Sequence, residues 1–430
     1  MNAQVDLVTS AVEPLVESPF ERNLAVEEAR AAILGFVRPI GGFERVSLRQ
    51  ALGRVLAEDV IAPIDVPAYE NSAVDGFALS SEGLRDGVGM LRVIGTSLAG
   101  HPWALSVPRD GCVRVMTGAA IPRDCDVVVA LEACRIEGHQ VFIDAVCARS
   151  SDNVRRRGED LSTGQAALRA GKVLRPADLG LIGSLGQADV AVRPRLRVAF
   201  LSTGDELRSI GDTPDEACIF DSNRHSLWSM LERLGCEGRD LGLVRDDPLA
   251  LEAALTSACN CADVVITTGG VGGGAADHLR DTLARLGKVT FGRIAMRPGR
   301  PMAFGHLHGK FSDSIPVFGL PGNPVAAMVA FYMIIRDALL RMMGAHARPV
   351  PLMRVKALEP LAKRPGRTEF QRAVLESLQG GELGVRVTGR QGSGILRSMT
   401  EADGLIVLEA ERGRVEAGEL VGFLAFEGLV

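Results

Sequence analysis

Aromatic residues are scarce in this chain: 2 Trp, 2 Tyr and 15 Phe in 430 residues, against 49 Gly. So few rings point away from an aromatic core and toward a loop-rich α/β protein. Long apolar runs are absent, and none reaches the roughly 20 residues that span a bilayer. The first stretch, MNAQVDLVTSAVEPLVESPFERN, lacks the basic start and apolar block of a signal peptide. It reads as a frayed extension of about 20 residues on a cytoplasmic protein. The eight cysteines form no CxxC pair, so zinc-site spacing is missing. Cys112, Cys125, Cys134, Cys147, Cys218, Cys236, Cys259 and Cys261 read as small buried residues in a reducing compartment. Basic charge is not in excess: 48 Lys and Arg face 53 Asp and Glu, a formal net charge of −5. That argues against a nucleic-acid protein, whose affinity rests on cations at phosphates. The P-loop GxxxxGKS/T, the zinc motif HExxH and the GxSxG elbow are all missing, as is a Cys/His nucleophile context.

What is present is an ordinary globular composition, 47% hydrophobic and 23% charged, in a chain long enough for two to four domains. Residues 21–40 have helical apolar spacing, and VSLRQALGRVLAEDV within 42–62 predicts a short helix leading into a strand. Short β-rich pieces follow to about 155, then a Gly-punctuated stretch with a helical piece at 176–186. From 196 strands alternate with helices: RVAFLST, RDLGLVRD, ADVVITT, KVTFGRIAM and IPVFGLPG among four helical segments. That alternation predicts a mostly parallel sheet covered on both faces. The expected fold class is α/β multidomain, a central mostly parallel sheet with β-rich domains. The expected partition is an extension at 1–20, a discontinuous helical domain at 21–62 and 156–195, a small β-rich domain at 63–155, an α/β domain at 196–345 and a β-rich module at 346–430.

Ligands of open parallel sheets bind beyond the carboxyl ends of the strands. Those ends carry Gly204-Asp205-Glu206, Arg245-Asp246-Asp247, a glycine loop from Gly269 to Asp277, Arg297-Pro298-Gly299-Arg300, and Pro321-Gly322-Asn323-Pro324. A glycine loop before a helix bares backbone N–H groups that suit a phosphate. Gly270, Gly272 and Ala275 also match GxGxxA loosely, but the next strand offers no acid for a ribose, which disfavours a nicotinamide enzyme. Glu206, Asp246 and Asp277 are hard oxygen donors suited to Mg²⁺ beside ligand phosphates. Helix capping is the plainer reading of Asp246 and Asp277 taken singly. Arg293, Arg297 and Arg300 suit a phosphate clamp, or simply a solvated face. In VPAYENSAVDGFAL, residues 66–79, Asp75 stands alone before Gly76 and reads locally as a turn.

Eleven motifs in order, from PAYENSAVDGFA through LSTGDEL, FDSN, TTGGVGGGAADH, RPGRPMAFG and GLPGNPVA to FQRA and QGSGILRSMTEADGL, resemble molybdopterin molybdenumtransferase, the last enzyme of molybdenum cofactor synthesis and the E domain of gephyrin. The resemblance covers roughly 25–428. It implies a four-domain elongated homodimer that inserts molybdate into adenylylated molybdopterin, releases AMP and uses Mg²⁺. It implies a site shared between the α/β domain of one subunit and the β-rich domain of the other, and a molybdopterin adenylyltransferase as the partner supplying substrate. By motif position it makes Asp75, Thr117, Asp160, Glu206, Asp246 and Asp277 catalytic, with Glu206, Asp246 and Asp277 at the metal. It assigns Arg155, Gly269, Gly270, Gly272, Gly274, Arg293, Arg297, Pro321, Pro324, Arg372 and Ser393 to substrate binding. This loop departs from the usual GGVSxGxxD: Gly272 replaces a Ser, and Ala275 a frequent Glu. Those departures ground two alternatives, a paralogue binding molybdopterin as a scaffold and one handling another oxyanion such as tungstate. A general nucleotide-dependent enzyme on the same fold is a further rival.

Overall fold

A computed structural model describes residues 23–84, 88–144, 149, 151–213, 216–272, 278–310, 314–346 and 349–429. The chain divides into two compact units, 45–192 and a larger one built from 193–430 with the residues before 45.

The larger unit is organised on a seven-stranded sheet. Its strands are β1 (Asn23–Leu24), β2 (Arg197–Thr203), β3 (Glu237–Val244), β4 (Val264–Thr268), β5 (Gly287–Ile294), β6 (Pro301–Leu307) and β7 (Ile315–Leu320), in the order β1-β5-β6-β7-β4-β2-β3. β2, β4 and β7 are buried almost from end to end, the signature of strands covered on both faces. Successive side chains alternate between faces. Ala199 and Leu201 of β2 join Val265 and Val317 against helices α3 (Pro248–Cys261) and α4 (His278–Leu286). Helix α2 (Asn223–Leu234) packs on β2 and β3. A long helix follows β7: α5 (Pro324–Ala330), a π-helical turn at Phe331–Ile335, then α6 (Arg336–Met342). Helix α1 (Val26–Phe36) lies on that π turn and on α6.

The sheet is mostly parallel, as expected, with one reversal. β6 runs antiparallel to both β5 and β7. The sequence pattern assigns no element to RPGRPMAFG, which two prolines and a glycine open. Those residues make the turn, and Pro301–Leu307 is a strand. Two antiparallel steps restore direction, so β5 points the same way as β2, β3, β4 and β7. Thr203, Val244, Thr268, Ile294 and Leu320 therefore end at one edge, with Pro301 beside them.

The last module closes on itself. Thr368–Ser377, Leu383–Val387, Met353–Ala357, Leu420–Ala425 and Gly404–Leu408 pair in that order, and the last pairs again with the first. A short strand at Met296–Arg297, just after β5, adds to this barrel and sets Arg297 opposite Glu369.

In the 45–192 unit, a six-stranded sheet runs Val127–Ala130, Gly76–Leu79, Gly111–Val115, Val88–Ser97, Gln140–Asp144, Cys134–Glu137. A helix at Pro176–Ser184 packs with the paired segments around it. The helix expected within 42–62 is not there. Glu44–Ser47 is a strand paired with Asp189–Val192, followed by one 3₁₀ turn at Leu48–Gln50. Cross-strand pairing overrides the local apolar spacing, and Gly53 at φ 73° ends any helical path.

Candidate active site

The carboxyl edge of the larger unit collects the acids. β2 ends in two hydroxyls inside an otherwise apolar strand, Ser202 and Thr203. Ser202 bonds across to Thr268 Oγ1 at 2.8 Å. Thr203 donates its hydroxyl to Asp246 Oδ1. The main-chain N–H of Asp246 donates in turn to Asp205 Oδ1 at 3.3 Å. Asp247, not Asp246, caps α3, accepting from the Ala250 N–H at 2.8 Å with Pro248 at the first helical position. Capping therefore does not explain Asp246. Each adjacent acid pair splits its work: Asp205 and Asp247 hold main chain, while Glu206 and Asp246 turn carboxylates to the edge. The Glu206 carboxylate folds over Gly204, where a Cβ would come within 2.7 Å of it.

Glycine is required at the start of the loop after β4. Gly269 has φ 89°, and a Cβ there would sit 2.4 Å from the Thr203 carbonyl oxygen. Gly270 has φ 63°. Gly272 differs, because a Cβ on it would meet nothing within 4 Å. Gly274 and Asp277 lie outside the described residues, as does Cys147. Seven cysteines are described, and all are free thiols. Burial pushes Cys112, Cys125 and Cys236 up to about 12, so these thiols are inert packing residues.

Across the same edge stand the cations. Arg293 is exposed and unpaired among the described residues. Arg297 is 60% exposed and lies 3.5 Å from Glu369, a weak pair because water screens it. Arg372, in the barrel, is only 1% exposed. Its guanidinium donates to Ser398 Oγ and to the Gly392 carbonyl, both at 3.0 Å, and meets no carboxylate among the described residues. Burial, then repulsion from Arg297, pushes it down to about 10, still protonated at neutral pH. A buried cation with only neutral partners attracts an anion. The loop carrying Ser393 touches the start of α5, where the Val325 N–H donates to the Ser393 carbonyl at 3.1 Å. Pro321 is buried in the turn before α5, and Pro324 is its first residue.

In the 45–192 unit, Asp75 and Thr117 meet. Gly76 pairs with Val115, so the bend before one strand faces the turn after the other. Asp75 Oδ1 accepts from the Thr117 N–H at 2.7 Å and from its hydroxyl at 2.9 Å. These two bonds, with help from Arg114, hold the exposed Asp75 carboxyl below its ordinary value. Gly76 is not a turn glycine. It opens a central strand, and a Cβ there would lie 2.1 Å from the Val129 carbonyl oxygen. Arg155 pairs through its main chain with Asn71, and its exposed side chain has no partner among the described residues. The next two arginines are tied down: Arg156 to Ser151, and Arg157 to Asp65 at 2.6 Å. Asp160 is exposed, its N–H bonded to the Val66 carbonyl at 3.0 Å.

Thr203 and Glu369 are not picked out by the sequence, and Asp205 is placed at the edge without a role. Only tertiary hydrogen bonds show the work of Thr203 and Asp205. Glu369 depends on barrel register, which has no local signal. No group of three or more His, Cys, Asp or Glu among the described residues could hold a metal alone. Mg²⁺ does not need one, since it takes one or two carboxylates plus phosphates. Glu206 and Asp246 are hard oxygen donors whose Glu206 carboxylate and Asp246 Oδ2 carry no hydrogen bond among the described residues, so the donor set fits. A cavity of about 800 Å³ opens at the opposite, amino edge of the sheet. Its Arg197 and Asp263 already neutralise each other through a two-point pair.

Residues 24–186 match the MoeA N-terminal region (domain I and II), 199–341 a probable molybdopterin binding domain, and 354–426 the MoeA C-terminal region (domain IV). Molybdopterin molybdenumtransferase of Haemophilus influenzae is 37% identical over 408 residues, 95% of this chain and 100% of that protein. Gephyrin of Dictyostelium discoideum is 30% identical over 88% of this chain and 58% of its own length. The crystal structure of a molybdopterin biosynthesis moeA protein from Pyrococcus horikoshii superposes with TM-score 0.79 at 26% identity, covering 94% of this chain and 100% of that one.

Proposed function

The chain belongs to the molybdopterin molybdenumtransferase family and is an enzyme of molybdenum cofactor biosynthesis, and from that premise we propose its substrate form and the work of its residues. The pterin arrives adenylylated, molybdenum from molybdate enters its dithiolene, and AMP leaves. The observation that carries this reading is that the Glu206 carboxylate and Asp246 Oδ2, neither hydrogen-bonded among the described residues, share one sheet edge with a glycine turn and Arg297. An adenylate and a pterin phosphate are anionic, and such an edge suits them.

Glu206 and Asp246, with Asp277, would hold Mg²⁺. When bound, the ion neutralises phosphate charge as it develops on the leaving adenylate. The chain's own part is positioning and charge stabilisation. The Gly269 N–H is committed to the Leu320 carbonyl at 3.1 Å, so amides of Gly270 to Gly272, with Gly274, take phosphate oxygens and Gly269 shapes the turn. Arg293 and Arg297 clamp the anion, and Pro321 and Pro324 shape the turn that aims α5 at it. Arg372 and the Ser393 loop take an oxyanion. Carboxylates repel molybdate, so Asp75, held by Thr117, orients Mg²⁺, water or pterin, with Arg155 and Asp160 on the same unit assisting.

We extend the proposal to a cytoplasmic homodimer supplied by a molybdopterin adenylyltransferase. Its domains are 45–62 with 156–195, 63–155, 196–345 joined by 23–44, and 346–430; the expected extension at 1–20 lies outside the described residues. The test is AMP release by purified protein given adenylylated molybdopterin, molybdate and Mg²⁺. AMP release above background that requires both molybdate and Mg²⁺ supports the reading. Tight pterin binding without AMP release would replace it with a scaffold role.

A further inference from the structure

We propose that Thr203 is a positioning residue that aims the Asp246 carboxylate for the divalent cation, an inference that rests on the Mg²⁺ reading above. Thr203 is the last residue of β2 and only 3% exposed. Its hydroxyl donates to Asp246 Oδ1. One carboxylate oxygen is thereby fixed, and Oδ2 is left without a hydrogen bond among the described residues. The main chain of Asp246 is pinned separately, by its N–H to Asp205 at 3.3 Å. A carboxylate anchored at both its backbone and one oxygen has little freedom to rotate.

The anchor itself is rigid. Thr203 is β-branched, so its χ1 is restricted. Its carbonyl lies 2.4 Å from where a Gly269 Cβ would be, so strand end and glycine turn are in close backbone contact. One residue thus ties the metal-facing acid to the start of the phosphate-facing loop. Packing alone does not call for a hydroxyl here, since valine has the same shape and β2 is otherwise mostly apolar. The partner of the hydroxyl is the reason for threonine. Groups that orient metal ligands commonly change metal affinity by about 10–100-fold when removed.

The experiment measures Mn²⁺ binding by electron paramagnetic resonance to the full-length protein in the presence of AMP, together with kcat against Mg²⁺ concentration. The variants are Thr203→Val, Thr203→Ser and Asp246→Asn, each checked for an unchanged thermal midpoint. We expect Thr203→Val to weaken Mn²⁺ binding by about 10–100-fold. Excess Mg²⁺ should recover most of its kcat, and Thr203→Ser should bind nearly as wild type. Equal binding by wild type and Thr203→Val would overturn the positioning role while leaving the metal site intact. Binding unchanged in Asp246→Asn, or absent in wild type, would overturn the metal reading and this inference with it. If Thr203→Val unfolds, Thr203→Ser and Thr203→Ala decide instead: equal Mn²⁺ affinity in these two would overturn the role, and weaker binding by Thr203→Ala alone would support it.

Discussion

At the scale of single residues, Asp75 is the puzzle of the sequence, an acid set between apolar residues five positions after Glu70 and followed by glycine. The structure separates the two. Gly76 serves the sheet, where only a hydrogen fits beside Val129, and Asp75 serves Thr117. Because two donors favour the charged form, the Asp75 pKa is lowered on folding. The stability this gives is present above the ordinary carboxylate range and is lost as pH falls through the depressed value. Thr117→Val removes the hydroxyl donor but keeps the N–H. The Asp75 carboxyl should then titrate at higher pH, read from its ¹³C shift, while that of wild type stays lower. Arg372 makes a second case. Its buried charge meets no acid among the described residues, so molybdate at 100 times its dissociation constant should stabilise the wild type by about 2.7 kcal/mol. Arg372→Met should lose that response in a thermal melt.

Elements explain what the sequence made legible and what it hid. The α/β alternation from 196 onward was readable because its central strands β2, β4 and β7 are mostly apolar runs buried on both faces. The carboxyl-edge rule then pointed to Glu206 and Asp246 before any geometry was known. Strand β6 was hidden by its prolines, and the expected helix near 48 was replaced by a strand because a partner at 189–192 outweighs local spacing. The capping assignment failed by one residue: Asp-Pro marks the cap, and the Asp of that pair is Asp247. Glycines of one loop also prove unequal. Gly269→Ala forces a Cβ against a backbone carbonyl at positive φ and should destabilise by about 1–3 kcal/mol in chemical denaturation. Gly272→Ser enters open space and should change stability by no more than about 0.5 kcal/mol. If the hydroxyl usual in the family matters, this variant should bind the pterin adenylate more tightly, by titration calorimetry.

At the scale of the whole molecule, order of motifs carried the most information, since eleven weak signals in sequence mark a family that no single one would. Barrel closure was invisible by comparison, because pairing Thr368–Ser377 with Gly404–Leu408 is a long-range event. The proposed homodimer has its own consequence. If each site draws Asp75 from one subunit and Asp246 from the other, then inactive Asp75→Asn and Asp246→Asn chains, paired as a heterodimer, should regain about half of wild-type activity per dimer. Recovery absent from a verified heterodimer would assign both acids to one subunit. The central claim is that AMP release and metal insertion are one coupled reaction at these residues. Its most direct measurement is a single turnover on adenylylated molybdopterin with molybdate and Mg²⁺, counting pterin-bound molybdenum against AMP. The account predicts one molybdenum per AMP, with both products lost together in Asp246→Asn. AMP released without molybdenum incorporation, or unchanged yields in Asp246→Asn, would contradict it.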